Sequence, residues 1–267
     1  AAQHRQIRVG HVEAGLRTRD RRNPFPEEMN RVVADHASDL CFAPTEMARD
    51  NLLAEGIPAS TIRVTGNTVI DALLQVARRD WQPDPDSTLA RLPADREWLL
   101  VTAHRRENFG EPLQGICQAL RTLAEQRGDR VHVIYPVHRN PQVWGPVHEA
   151  LSDHPGITLL PPVDYREMVY LMKRCRLILT DSGGLQEEAP SLHKPVLVLR
   201  ETTERPEALA AGATRLAGTD PRRIAREAHR LLDDPEAYTA MASAGNPYGD
   251  GHAAERIAAE LGLKVGG

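Results

Sequence analysis

The segment Thr180-Asp181-Ser182-Gly183-Gly184-Leu185-Gln186-Glu187-Glu188 follows the apolar run Leu177-Ile178-Leu179. That order predicts a buried parallel strand, a glycine turn and the start of a helix. Backbone N–H groups left unpaired at a helix N-terminus offer a docking point for phosphate. Glu188, one turn into the helix, stands within reach of a ribose hydroxyl pair. Strand, phosphate turn and carboxylate together suggest a nucleotide site, although the spacing matches neither the Walker A loop nor G-x-G-x-x-G. An ordinary βα turn that uses Gly for tightness fits the same residues.

Four further clusters carry polar chemistry. His11-Val12-Glu13-Ala14-Gly15-Leu16-Arg17-Thr18 is followed by Asn23-Pro24-Phe25-Pro26-Glu27-Glu28. Glu13 at a strand end and Glu27 at a helix start could converge on one pocket, the arrangement that proton abstraction and redelivery at carbon require. Alternatively, Glu27 and Glu28 are first-turn acids that favour the helix dipole, and Arg17 with Arg19 to Arg22 is a solvated loop. In Thr102-Ala103-His104-Arg105-Arg106-Glu107-Asn108, one His and two Arg could neutralise a diphosphate, with Arg supplying bidentate contacts. In Tyr135-Pro136-Val137-His138-Arg139-Asn140-Pro141, His138 either meets a ligand or holds a turn. Thr202-Thr203-Glu204-Arg205-Pro206-Glu207 either lines a sugar site or opens a capped helix.

The elements that must position these residues follow from periodicity. Strands are expected at Ile7 to Val12, Leu40 to Ala43, Ile62 to Thr65, Trp98 to Thr102, Val131 to Pro136, Ile157 to Leu160, Leu177 to Thr180 and Val196 to Leu199. Helices are expected over Pro24 to Ser38, from the Thr45 cap to Leu53, over Asn67 to Arg79, and from about His252 to Leu261. Others begin near Leu113, Val143, Tyr165, Leu185 and Pro206. Alternation of apolar, β-branched strands with helices indicates parallel sheets covered on both faces. Trp81 to Ser87, with Pro83 and Pro85 among acids, reads as a linker between two α/β units. The polar clusters all fall at strand C-terminal ends, where doubly wound sheets hold ligands.

Composition narrows the class. Hydrophobic content of 41% and charged content of 26% fit a globular chain, and 267 residues suffice for one large domain or two ordinary ones. A net charge of −4 with both signs interspersed leaves no basic footprint for nucleic acid. No apolar run approaches the roughly 20 residues that span a bilayer, and Ala1 to Arg5 lack the apolar core of a secretory signal. Three scattered cysteines, Cys41, Cys117 and Cys175, read as small buried residues of a reducing cytoplasm and form no C-x-x-C metal pair. The segment before Trp81 is shorter than a free-standing domain of ~100–150 residues, so a partner covers its half-sheet or the chain is a C-terminal fragment.

Seen together, these motifs resemble the non-hydrolysing UDP-N-acetylglucosamine 2-epimerases. The resemblance rests on the runs from His11 to Thr18, Pro26 to Glu28, Thr65 to Ala72, His104 to Asn108, Pro136 to His138, Asp181 to Glu188, Thr202 to Glu207 and Asn246 to Gly251, in that family's order. It implies α/β architecture with two Rossmann-like doubly wound domains of the B-type glycosyltransferase kind, the first incomplete, and a ligand in the interdomain cleft. The bounds implied are 1–80 for the C-terminal part of the first domain, 81–97 for a linker, 98–245 for the UDP-binding domain, and 246–267 for a C-terminal helix returning toward the first. The activity implied is interconversion of UDP-GlcNAc and UDP-ManNAc, by elimination of UDP to a 2-acetamidoglucal and re-addition, with no cofactor and no metal.

Carried over by position, Glu13, Glu27 and His104 match the catalytic residues. Ser182, Gly183 and Gly184 match the phosphate turn, Glu188 the ribose carboxylate, and Met168 the place near the uracil where the family often has an aromatic. Arg105 and His138 match motifs linked to a second, activating nucleotide sugar. A cytoplasmic homodimer serving polysaccharide biosynthesis, without nucleic-acid or membrane partners, is implied as well. Family members also carry an earlier strand, a basic glycine loop and a catalytic aspartate that this chain begins after. A hydrolysing 2-epimerase releasing ManNAc and UDP, or a UDP-sugar-binding protein without activity, are the competing readings.

Overall fold

The structure, a computed structural model, describes residues 1–22 and 25–263 of the chain. Asn23 and Pro24, assigned above to the approach to the first helix, lie outside the described residues. The chain divides into two compact units, Ala1–Gln75 with Pro247–Gly267, and Val76–Asn246.

The first unit opens with β1 (Gly10–Val12), α1 (Glu27–His36), β2 (Leu40–Ala43), α2 (Glu46–Ala54) and β3 (Ile62–Val64), and α3 (Thr68–Ala77) runs across the boundary. Its three strands are parallel in the order β1-β2-β3. β1 starts later than its apolar pattern predicts, because the Asp39 carboxylate takes the Val9 N–H at 2.7 Å before the ladder begins. Thr45 caps α2 as its position predicts, its hydroxyl accepting the Ala48 N–H at 3.0 Å. Cys41, Ala43, Ala48, Leu52 and Ile62 form the core under Ala14. The turn after β1 presses so closely on α2 that a Cβ on Gly15, whose φ is +83°, would lie 2.2 Å from the Ala48 carbonyl oxygen.

The second unit contains β4 (Glu97–Thr102), α4 (Glu111–Arg127), β5 (Val131–Pro136), α5 (Pro141–Leu151), β6 (Ile157–Leu160), α6 (Tyr165–Arg174), β7 (Leu177–Thr180), α7 (Gly183–Glu188), β8 (Val196–Val198), α8 (Pro206–Ala210), β9 (Thr214–Leu216), α9 (Pro221–Asp233) and α10 (Pro235–Ala242). All six strands are parallel, in the order β6-β5-β4-β7-β8-β9. This is the Rossmann order, in which the winding reverses between the first strand, β4, and the fourth, β7. The crevice at their C-terminal ends is where such sheets bind ligands. Leu99, Val101, Leu120, Leu123, Val133, Tyr135, Leu177 and Leu179 fill the core, and helices on both faces explain the unbroken apolar runs of the central strands.

Three elements were not anticipated from the sequence: β9, α9 and α10. β9 is a three-residue edge strand with Arg215 exposed, too short for a period-two signal. The two helices do carry a start signal, since Asp220 and Asp234 accept first-turn N–H groups just before Pro221 and Pro235. The stretch 81–97 packs within the second unit. Trp81 meets Tyr170 edge-on at 5.6 Å, Leu89 and Leu92 are buried, and Trp98 Nε1 donates to the Pro93 carbonyl at 2.7 Å.

The chain ends in α11 (Ala253–Glu260), part of the first unit. The Asp71 carboxylate of α3 receives the Ala253 and Ala254 N–H groups at 3.1 and 2.8 Å, a cap supplied from another helix. The Asn67 N–H donates to the Tyr248 carbonyl at 2.7 Å. The runs Thr65 to Ala72 and Asn246 to Gly251, distant in sequence, are thus the two sides of one packed junction from Pro247 onward.

Gly15→Ala should destabilise the first unit by roughly 2 kcal/mol or more, since it adds both a left-handed backbone penalty and an overlap with backbone. Urea unfolding followed by circular dichroism reads this directly; an unchanged midpoint would refute the close approach.

Candidate functional site

At the reversal point of the second unit, β4 and β7 end side by side with the hydroxyls of Thr102 and Thr180 2.6 Å apart. The next residue after β7, Asp181, is fully buried. Its Oδ2 accepts the backbone N–H groups of His104 and Arg105, each at 2.8 Å, and Asn108 Nδ2 at 2.9 Å. One carboxylate therefore ties the loop after β4 to the loop after β7. Its other oxygen, Oδ1, lies 3.5 Å from His104 Nδ1 and has no hydrogen-bond partner.

The His104 ring stacks on His138 with centroids 5.3 Å apart and planes 17° from parallel. His138 has the turn-holding role considered above, as its Nδ1 accepts the Asn140 N–H at 3.1 Å, and it also lines the cavity described next. Burial lowers the His104 pKa below the ordinary histidine value; the Asp181 charge opposes this, while His138 and Arg105 add to it.

A cavity of about 260 Å³ opens here. Pro162, Val163, Met168 and Leu185 supply its apolar wall, and His104, His138, Ser182, Tyr165 and Glu188 its polar groups. Gly184 also lines it. The predicted glycine turn is not a turn. Gly183 and Gly184 are the first residues of α7, and neither has a positive φ. The small size of Gly183 serves space instead, since a Cβ there would lie 3.3 Å from Glu204 Oε1 and 3.4 Å from an Arg105 guanidinium nitrogen. As first-turn residues of α7, Gly183, Gly184 and Leu185 have N–H groups without an intrahelical acceptor.

Glu188, at the end of α7, is 8% exposed. Tyr165, the first residue of α6, donates its hydroxyl to Glu188 Oε2 at 2.8 Å. Burial pushes the Glu188 pKa up to about 7; the Tyr165 hydrogen bond pulls against that shift and the neighbouring Glu187 charge adds to it. Tyr165 is held by a complete capping box between Asp164 and Glu167. The Asp164-x-x-Glu167 spacing is the sequence signal for a fixed residue at this point.

Behind the cavity lies a set of buried ion pairs. Arg105 does not line the cavity: its Nε donates to the Asp181 carbonyl at 3.1 Å and its guanidinium pairs with Glu204. Glu204 also pairs with Arg200, and Arg200 with Glu107, while Arg205 pairs with Glu187. Burial alone would raise the Glu204 pKa, but Arg200 and Arg105 hold it down to about 2. Within the Thr202 to Glu207 run, Thr203 donates to Gln186 Oε1 at 2.6 Å, and Arg205 pairs with Glu187 of α7.

Glu13 and Glu27 belong to the first unit. Glu13 follows β1 with φ +69°, an uncommon conformation for a residue bearing a Cβ, and accepts from Asn67 Nδ2 at 3.2 Å. Glu27 is exposed at the start of α1, whereas Glu28 is buried and takes the N–H groups of Thr18 and Arg19. The two adjacent acids thus separate in role by which face of α1 they occupy. Arg17 is no part of a solvated loop. Its guanidinium bonds Asp35 at 2.6 Å and Glu55 at 2.7 Å, while His11 Nδ1 meets Asp35 at 2.5 Å. Burial would raise the pKa of Asp35, but His11 and Arg17 hold it below the ordinary carboxylate value. Asp35 thus fixes the His11 to Arg17 loop and, with it, the approach to Glu13. An aspartate on the inward side of α1 was its only sequence signal.

Comparison with known proteins extends this picture. The family model for UDP-N-acetylglucosamine 2-epimerase matches residues 1–262. The Salmonella typhimurium UDP-N-acetylglucosamine 2-epimerase is 53% identical over 262 residues, covering 96% of this chain and 69% of the relative. Among solved structures, the Neisseria meningitidis UDP-GlcNAc 2-epimerase bound to UDP-GlcNAc superposes with a TM-score of 0.88 at 43% identity, covering 97% of this chain and 71% of that one. The S. aureus MnaA–UDP structure gives 0.91 at 43% identity, covering 98% and 72%. These neighbours bear out the α/β, B-type glycosyltransferase fold class inferred from the sequence. With one family's model matched from Ala1 to the last described helix and half the residues shared with a named member, the chain belongs to the UDP-N-acetylglucosamine 2-epimerase family.

Proposed function

We propose that this chain interconverts UDP-N-acetylglucosamine and UDP-N-acetylmannosamine at C2 and that the cavity at the β4/β7 reversal is its UDP site. The observation that carries the reading is the convergence, in one cavity, of an apolar wall, a phosphate-facing helix start and a desolvated carboxylate. Pro162, Val163 and Met168 suit a flat base, and Glu188 suits the ribose diol. Gly183 and Gly184 offer the first N–H groups of α7 to the diphosphate, whereas the Ser182 N–H already donates to the Thr180 hydroxyl at 2.9 Å, so Ser182 contributes its side chain to the cavity, and His104 lines it toward β4. In this reading Glu13 and Glu27 are the acid and base at C2. One removes the C2 proton as the C1–oxygen bond breaks and UDP leaves with the bonding electrons, forming the 2-acetamidoglucal. Return of UDP to C1 and of a proton to the opposite face of C2 completes the inversion.

Stabilising the departing diphosphate falls to preorganised dipoles and His104, because Arg105 is already committed to Glu204. His138, stacked on His104, is assigned to the sensing of a second nucleotide sugar, and Arg105, held by Glu204 and the Asp181 carbonyl, to supporting that site from behind. A cytoplasmic homodimer feeding polysaccharide assembly completes the proposal. It is tested by incubating the chain with UDP-GlcNAc in deuterated water. UDP-ManNAc carrying deuterium at C2 is the expected product, and accumulation of free ManNAc would turn the assignment to a hydrolysing enzyme.

Glu13→Gln is expected to abolish C2 deuterium incorporation while UDP affinity, measured by calorimetry, stays the same. Normal incorporation removes Glu13 from the mechanism.

Glu188→Gln should have two opposite effects. A carboxyl with a folded-state pKa near 7 rather than the ordinary 4.5 holds its proton more tightly when folded, so stability falls as pH rises between those values. The penalty is complete above pH 7 and amounts to roughly 3 kcal/mol. Gln avoids it, so the variant should gain stability over the wild type from pH 4.5 to 8 and yet bind UDP more weakly. Parallel losses of stability and affinity would mark Glu188 as structural instead.

A further inference from the structure

Asp181 has a bonding pattern that tying two loops together does not explain. Its Oδ2 is saturated by two backbone N–H groups and Asn108, whereas Oδ1, equally buried, is bare and 3.5 Å from His104 Nδ1. A buried carboxylate oxygen without a donor is costly, and the nearest candidate donor is that ring nitrogen. Its distance is one small ring rotation beyond a hydrogen bond. The three donors on Oδ2 prevent the carboxylate from turning away, so adjustment belongs to the imidazole, which is 42% exposed.

We infer that Asp181 is the positioning residue for His104: its Oδ1 takes the Nδ1–H of His104, fixes that tautomer, and lets the ring carry a second proton on Nε2 when an anionic diphosphate enters the cavity. The inference rests on the UDP-site reading above. No substrate bond changes in this step. One proton passes from solvent to Nε2 and is then donated in a charge-assisted hydrogen bond to a phosphate oxygen, while Asp181 balances the imidazolium charge.

The surroundings fit a group that charges only on demand. The charged and titratable neighbours of the His104 ring are Asp181 from the loop after β7, His138 from the loop after β5 and Arg105 from its own loop. Arg105 is in turn neutralised by Glu204. Burial, His138 and Arg105 favour the neutral ring in the empty cavity; Asp181 alone opposes them. Arrival of a diphosphate adds the second anion that tips the balance. Asp181→Asn would reverse the arrangement. With the amide oxygen retained by the three N–H donors, the amide NH₂ faces Nδ1 and repels the imidazolium.

The test is nitrogen-15 NMR of His104 in the full 267-residue chain, with and without UDP. In the wild type the Nδ1–H tautomer is expected without ligand, and the His104 pKa should rise when UDP is added. In Asp181→Asn the rise should vanish. UDP affinity at pH 6 should then fall about tenfold, the equivalent of one pKa unit, with little change at pH 9. Comparing the two proteins cancels the titration of UDP itself and of Glu188. In a His104→Asn background, Asp181→Asn should bring no further pH-dependent loss. An Nε2–H tautomer in the wild type, or the same His104 titration in both proteins, overturns the inference. Should the variant fail to fold, the wild-type tautomer decides. If the wild type binds no UDP at any pH, the nucleotide-site reading fails, and the tautomer still settles the Asp181–His104 pairing.

Discussion

The second unit depends on one constraint: two strands that diverge in winding must be joined where they end. Parallel strands β4 and β7 are neighbours in the sheet, but their paired residues lie 78 positions apart in the chain, so no local turn can align their loops. Asp181 does this with three N–H···O bonds from the β4 loop to one carboxylate oxygen. Hydrogen bonds to a charged acceptor contribute about 1.5–3 kcal/mol each, more than neutral pairs. The position of His104, the start of α7 and the location of Glu188 at its other end all follow from this joint.

The supporting layer obeys a second rule, that a buried charge must be paired. Arg105, Arg200 and Arg205 are matched to Glu204, Glu107 and Glu187 beneath α7. Breaking a pair buried on both sides, such as Arg205–Glu187, by removing one partner costs about 3–5 kcal/mol, because the survivor stays desolvated. The first unit repeats the device on a smaller scale. Asp35 collects His11 and Arg17, and Glu55 completes the neutralisation of Arg17. In both units, the loops that bear the candidate site residues are held by fully buried carboxylates, Asp35 and Asp181.

The sheet of the second unit was legible in the sequence because both its faces are covered. Leu99 to Val101, Val131 to Pro136 and Leu177 to Thr180 read as continuous apolar runs and are strands. Clusters at strand ends were legible for the same reason, since a polar loop after a buried strand is conspicuous. The fate of each charge was not legible. Whether an Arg is solvated or buried depends on partners such as Glu107 for Arg200 and Glu204 for Arg105, more than ninety positions away. Glu27 and Glu28 look alike as first-turn acids, and only packing shows that one is exposed and the other anchors the preceding loop. Gly183 was read as a turn residue because glycine usually signals backbone freedom; here it signals a lack of room beside Arg105 and Glu204.

The internal pairing of the cations beneath α7 has an electrostatic consequence. Charges cancelled by a neighbour a few ångströms away produce a field that decays quickly, so Arg105, Arg200 and Arg205 project little attraction for anions into bulk solvent. On the proposed function, a nucleotide diphosphate would be recognised on arrival, through oriented amide dipoles and the imidazoles of His104 and His138. Any long-range steering would then rest on exposed cations at the loop edges, such as Arg106 and Arg139, and ionic strength would act on the encounter rate through them rather than through the layer beneath α7.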